Sequence, residues 1–257
     1  MKKNANHSDF LFILLGASNL ARSYSAFKRH LSQNISEKKI QFINVLGPGR
    51  GYCGRGGFLN LSYPPIGQNK IFKAIGKQIH SGNKVVIIIT DIGNDIMYGV
   101  DDNTLIGCLD SLIEKSLSWN AEIFITSIHV DISKDLGQRS FKFLRTFFYP
   151  GSPIVLKQAD AAVKNVNQYL EEKSMHRDSV HLIDGLGKFC GMDKIHFSLL
   201  KSHLAWSHIA SKIFEKLHIV PSSKLEIGSM FVSLLRNMNR LVFTDMMRIK
   251  KKDPEFY

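Results

Sequence analysis

Short apolar runs rich in β-branched residues alternate along this chain with longer stretches of helical spacing, and few architectures accommodate that alternation. Phe10-Leu-Phe-Ile-Leu-Leu15 and Val85-Val-Ile-Ile-Ile89 are apolar at every position, so neither face of these strands can be left to water. Strands are expected at Phe10 to Leu15, Gln41 to Leu46, Lys84 to Thr90, Glu122 to Ile128 and Val180 to Ile183. Helices are expected near Leu20 to Leu31, Gln68 to His80, Thr104 to Leu117, Val155 to Lys173 and Leu200 to Leu217. Repeated βαβ units of this kind give an α/β fold, a three-layer αβα sandwich around a five-stranded parallel sheet. Right-handed crossovers make the sheet doubly wound, so functional residues are sought just after the carboxyl ends of the strands.

Two regions depart from the alternation. Ser140 to Pro153 carries Phe141, Phe143, Phe147, Phe148 and Tyr149, too many aromatics for a solvent loop, and is expected to cover core or line a groove. Met230 to Met247 places Phe231, Leu234, Leu235, Met238, Leu241 and Val242 at helical spacing, followed by Arg248, Lys250, Lys251 and Lys252. That stripe calls for cover by the domain, by a second copy in a homodimer or by a membrane surface, with the basic tail solvated. Leaving six such side chains in water forgoes about 1.5 to 3 kcal/mol apiece.

The formal charge of +12 suits nucleic acid, an anionic membrane surface or an acidic substrate. No basic helix or aromatic RNA motif accompanies it, so a solvated basic surface is expected and no nucleic-acid partner. Cys53, Cys108 and Cys190 are odd in number and lack metal or disulfide spacing, which fits a reducing, cytoplasmic setting. Lys2 and Lys3 ahead of Phe10 to Leu15 resemble a signal peptide superficially, but the apolar run is short and bordered by Asp9; it reads as a buried first strand.

Three loops at the expected functional edge carry suitable chemistry. After the first strand comes Gly16-Ala17-Ser18-Asn19, where Ser18 is open to two readings: a helix N-cap or a nucleophile whose own amide faces an oxyanion. After the third strand, Asp91-Ile-Gly93-Asn94-Asp95 offers a side-chain amide able to donate to an oxyanion, although such residues are also ordinary turn formers. Between the last strand and last helix lies Gly191-Met-Asp193-Lys-Ile-His196. There the carboxylate can fix the imidazole tautomer and leave its far nitrogen to take a proton from a serine.

In combination these loops resemble the SGNH (GDSL-type) hydrolases over about Phe10 to Leu217. The family's blocks carry a serine, a glycine, an asparagine in Gly-x-Asn-Asp, and Asp-x-x-His. The resemblance implies a flavodoxin-like sheet, a triad of Ser18, His196 and Asp193, and an oxyanion hole of the Ser18 amide, Gly51 and Asn94. Gly51 is preferred to Gly49 within Gly47-Pro-Gly49-Arg-Gly51-Tyr-Cys-Gly54. It implies no cofactor or metal, and a small-molecule, lipid or carbohydrate ester as substrate. Ala17 departs from the family's Gly-Asp-Ser, and Ile92 stands where the third block has glycine. Residues 1–220 would form the hydrolase domain and 221–257 an amphipathic helix with a basic tail. An acyltransferase using the same site, and a catalytically silent binding or membrane-associated module, remain open beside hydrolysis.

Other chemistries are weaker. Gly49-Arg-Gly51-Tyr-Cys-Gly54 fits GxGxxG, but Arg55-Gly-Gly57 and Tyr63-Pro-Pro65 follow it where a helix should receive a pyrophosphate. Nothing marks Cys53 as an activated thiol. His203 and His208 are five apart, off the common helix face that metal ligands would share.

Overall fold

A computed structural model describes residues 8–35, 38–58, 61–251 and 255–257; Lys2, Lys3 and Lys252, named above, lie outside them. The chain runs β1 (Phe10–Gly16), α1 (Ser18–Asn34), β2 (Ile40–Leu46), α2 (Asn69–Gly76), β3 (Lys84–Ile89), α3 (Asn94–Met97), α4 (Asp102–Leu117) and β4 (Glu122–Thr126). It continues through α5 (Ile132–Asp135), α6 (Gln138–Phe148), α7 (Leu156–His176), β5 (Val180–Ile183), a 3-10 turn, α8 (Ser202–Leu217) and α9 (Ile227–Arg240), which ends in a π-turn at Leu241–Met246. The sheet order is β2-β1-β3-β4-β5, every pairing parallel. This is the doubly wound sandwich expected from the pattern of buried runs, with the flavodoxin-like sheet that the family resemblance implied.

Strand alternation divides the core in two. Leu11, Ile13, Leu15, Val85, Ile87 and Ile89 face α2, α4, α6 and α7, whereas Phe12, Leu14, Val86 and Ile88 face α1 and α8. On the second face Trp206 lies fully buried with its ring centroid 4.6 Å from that of Phe27, so it fixes α8 against α1. The 138–148 stretch, expected to cover core or line a groove but not as a helix, is one. Phe141 and Leu144 are buried while Phe143 and Phe147 face out at 66% and 60% exposure.

The C-terminal helix docks on α1, but through a different face from the one its apolar stripe suggested. Met230, Ser233 and Asn237 are buried, while Phe231, Leu235, Met238 and Val242 remain exposed. Small serines decide the matter by letting the helices approach. Ser233 Oγ accepts from the Ser25 and Ala26 amides at 3.1 and 3.4 Å, and Arg29 donates to Ser229 Oγ at 2.6 Å. Arg248, Lys250 and Lys251 are exposed, as expected, yet the tail beyond them returns to the sheet: the Asn44 amide donates to Glu255 O at 2.7 Å and the Tyr257 amide to Asn44 O at 2.9 Å. No helix among the described residues is long and apolar enough to cross a membrane.

Removing the chain from Pro221 onward exposes the surface under Leu225 and Met230, both buried, a loss of about 3 kcal/mol or more. Calorimetry should show a melting temperature lower by about 6–12 °C; an unchanged melting point would mean that this segment adds nothing to the fold.

Candidate active site

β1 hands directly into α1, and the turn between them is built from outside. The α1 N-cap is Ala17, which has no side chain able to cap the helix. Asp91, at the carboxyl end of β3, does so instead: its carboxylate accepts from the Ala17 amide at 2.9 Å and the Leu20 amide at 3.2 Å. Asp91 holds φ near 60°, an uncommon conformation outside glycine that aims the side chain across the sheet edge. With its helix capped in this way, Ser18 is left with a free hydroxyl. Gly16 is obligatory for the approach, because a Cβ there would lie 2.3 Å from Thr90 Oγ1.

The hydroxyl meets the loop before α8. Ser18 Oγ lies 2.9 Å from His196 Nε2, and His196 Nδ1 lies 2.7 Å from Asp193 Oδ2. The other carboxylate oxygen, Oδ1, accepts from the Ile195 and His196 amides at 3.1 and 2.9 Å, a tight turn in which Lys194 takes φ of 60°. A bond from the Gly191 amide to His196 O, 2.8 Å, closes the hairpin. Burial opposes ionisation of Asp193, but its bonds from the His196 ring and from the amides together hold it below the usual carboxylate range.

Asn19 locks these two loops together. Its amide donates to Asp91 Oδ1 at 2.8 Å and Ile195 O at 3.1 Å, and its carbonyl accepts from the Phe197 amide at 2.9 Å. Replacing Asn19 by Ala severs three bonds, each worth about 1 kcal/mol, and frees the serine turn from the histidine turn. A displacement near 1 Å there costs about 100-fold in rate. The expected result for Asn19→Ala is therefore a fall of that order in kcat on a small ester, with KM changed far less; kcat within threefold of wild type would refute the clamp.

Asn94 begins α3 and is buried. Tyr149 donates to its Oδ1 at 2.6 Å while its Nδ2 donates to Arg50 O at 3.1 Å, so the amide is oriented and one N–H is left over. Gly51, preferred from the sequence, does not border the cleft at Ser18 and Asn94. The Cys53 and Gly54 amides converge on Asp95 at 2.9 and 3.0 Å, joined by that of Tyr52, and this cradle draws Gly51 inward, where a Cβ would stand 2.7 Å from Asp95 Oδ1. Gly49, with φ of 68°, is the glycine of that loop that borders the cleft beside Ser18, Asn94 and His196. The same cradle explains the GxGxxG spacing: its amides hold an internal carboxylate. Burial raises Asp95 above the usual range against the pull of those amides. Burial, with the Cys108 thiol next, likewise pushes up the Cys53 thiol, keeping it far from a thiolate at neutral pH.

Two cavities meet at Ser18 and Asn94. One is an open cleft of about 370 Å³, bordered by Arg22, Asp193, His196, Phe148, Asn237 and Leu241. The other is a small, more enclosed pocket of about 60 Å³ walled by Ile92, Ile128, Val130, Leu136 and Phe141. The aromatic stretch thus serves both purposes weighed for it: Phe141 walls the pocket, and Phe148 stands 5.5 Å from the His196 ring. His129 supports the histidine loop, its Nε2 3.1 Å from Ile195 O. Burial lowers its pKa. Asp91, Asn19, Arg22, His129 and the cleft residues of the C-terminal segment were not read as site residues in the sequence; only the position of Asp91 and Asn19 beside named motif residues hinted at them.

No protein-family model matches the sequence, and no curated protein matches it. Solved structures do. A carbohydrate esterase family 3 protein from Talaromyces cellulolyticus aligns with a TM-score of 0.52 at 12% identity, over 81% of this chain and 98% of the other. The psychrotrophic esterase EstA from a Pseudoalteromonas species gives 0.49 at 14% identity, over 82% and 100%. A GDSL-like lipase from Bacteroides thetaiotaomicron gives 0.49 at 11%, over 81% and 89%. At such identity, the first of these likenesses speaks for a shared fold.

Proposed function

We propose that this chain, whose sheet and helices have the SGNH hydrolase fold, is a serine ester hydrolase with Ser18 as nucleophile, His196 as general base and Asp193 as the carboxylate that orients it. The observation that carries this reading is the unbroken line from Ser18 Oγ to His196 Nε2, 2.9 Å, and from His196 Nδ1 to Asp193, 2.7 Å. A capping or packing serine would have no need of an imidazole held in one tautomer by a half-buried carboxylate.

In the first step Ser18 Oγ bonds to the ester carbonyl carbon while His196 Nε2 takes the hydroxyl proton. The Ser18 amide, the Gly49 amide and the Asn94 side chain donate to the oxyanion; each such donor is worth about 3 kcal/mol of barrier. Collapse of the tetrahedral adduct breaks the bond to the alcohol oxygen, which leaves with the proton from His196. Water, activated in turn by His196, then releases the acid and restores Ser18. The enclosed apolar pocket beside Ser18 and Asn94 takes the acyl group, and its small volume favours a short one.

A fluorophosphonate tests the assignment directly. Wild-type protein should be labelled at one site, peptide mapping should locate it at Ser18, and Ser18→Ala should take up no label. Absence of labelling in folded wild-type protein would instead support the silent binding module.

A further inference from the structure

We infer that Arg22 binds an anionic group, a carboxylate or a phosphate, on the alcohol side of the substrate ester. The inference rests on the hydrolase reading for the word ester, but its observations are independent of the chemistry at Ser18. Arg22 lies one helical turn after Ser18 and so on the same face of α1. It borders the open cleft together with Ser18, Asp193 and His196. Arg22 also lines a small cavity together with Met230 and Leu234 of α9, so the C-terminal helix partly shelters it from bulk water.

Among the described residues this sheltered guanidinium has no hydrogen bond or ion pair. The acids that act on it through space are Asp193 and Asp91, and burial outweighs both, lowering its pKa. Neither acid bonds to it. Asp193 spends its oxygens on the His196 ring and two amides, and Asp91 on the Ala17 and Leu20 amides and on Asn19. A guanidinium keeps its charge and presents five donors in a fixed fork. Desolvating it without a partner is costly, and a ligand oxyanion supplies the bidentate match that the protein withholds. The formal charge of +12 draws an anion toward the protein from a distance.

Geometry assigns the anion to one side of the ester. The enclosed pocket is walled mainly by apolar side chains, among them Ile92, Ile128, Val130 and Leu136, and holds the Asp91 carboxyl but no lysine or arginine, so an anion entering it would lose its water and find no such cation in return. With the acyl chain in that pocket, the alcohol lies in the open cleft, within the field of Arg22.

The test uses the full chain carrying Ser18→Ala, so that binding is read without turnover. Calorimetric titrations at fixed ionic strength compare 4-acetoxybenzoate with 4-acetoxybenzamide, which differ in charge at the far end of the alcohol. The expected result is at least tenfold tighter binding of the carboxylate. Adding Arg22→Met should abolish that preference, and Arg22→Lys should keep part of it because the charge remains, with melting curves confirming folded protein throughout. Equal affinities for the two esters, no binding of the carboxylate in the millimolar range, or a preference that survives Arg22→Met would each overturn the assignment. Hydrolysis of the same esters by wild type is scored separately. If wild type turns over neither ester, the hydrolase reading fails, while the titrations still decide whether Arg22 is an anion site.

Discussion

Ser18→Ala should lower kcat/KM for a short-chain aryl ester by about 10⁴-fold or more while leaving the fold intact. The rate follows from the role: without the hydroxyl there is no acyl-enzyme, and what remains is water attacking a carbonyl held by the other oxyanion donors. The preserved fold follows from the structure. Ser18 is not the α1 N-cap; that duty falls to Asp91 through the Ala17 and Leu20 amides, and among the described residues the Ser18 hydroxyl has one hydrogen-bond partner, His196. Losing one half-exposed hydrogen bond costs about 1 kcal/mol, or about 2–4 °C in melting temperature for a chain of this size. Steady-state kinetics and a melting curve on one preparation check both halves. Wild-type rates in the variant would remove Ser18 from the mechanism, and a collapse of the melting temperature would show it to be structural after all.

The fold was legible because its strands are buried on both faces and so announce themselves as continuous apolar runs. β5 fell where expected and β1 to β4 within one or two residues. What the runs cannot reveal is how an amphipathic segment is rotated about its own axis. On α9 both faces carry apolar residues, and Ser229 and Ser233, unremarkable in a hydrophobicity pattern, determine which face meets α1 because they are small and can bond to it. On α6 the density of aromatics hid the helical period, since Phe141 and Phe148 point toward the cavities while Phe143 and Phe147 point away.

The site divides along the same physical line. Ser18 and Asn94 each sit in a short local pattern just after a strand, Asp193 and His196 in one in the loop between β5 and α8, and all four border one cleft. Gly51 was preferred over Gly49 because spacing alone does not trace a loop. The path is fixed by Asp95, more than forty positions away, collecting the amides of Tyr52, Cys53 and Gly54. Asn19 and Asp91 were equally hidden. Their partners lie on distant loops: Asn19 bonds to Asp91 and Phe197, and no window of sequence contains such a pair.

Asp193→Asn should lower kcat by about 10³–10⁴-fold, although it changes only one atom. Asp193 Oδ1 accepts from the Ile195 and His196 amides, so in the variant the carbonyl oxygen must keep that position and the new NH₂ must take the place of Oδ2. That NH₂ then donates to His196 Nδ1, which forces the ring proton onto Nε2. In that tautomer Nε2 faces Ser18 as a donor and cannot accept the hydroxyl proton. Stability should change with pH in a defined direction. The Asp193 pKa is held below its ordinary value in the folded protein, so its contribution is fully present above the unfolded carboxylate pKa of about 3.9. The contribution is lost as pH falls through the lower folded value. Wild type should therefore melt above Asp193→Asn at neutral pH, and the two curves should converge as pH drops below about 4. A variant retaining kcat within tenfold of wild type would mean that His196 is oriented by something other than Asp193. A gap in melting temperature that stayed constant into acid would mean that the carboxylate's charge contributes nothing to the turn.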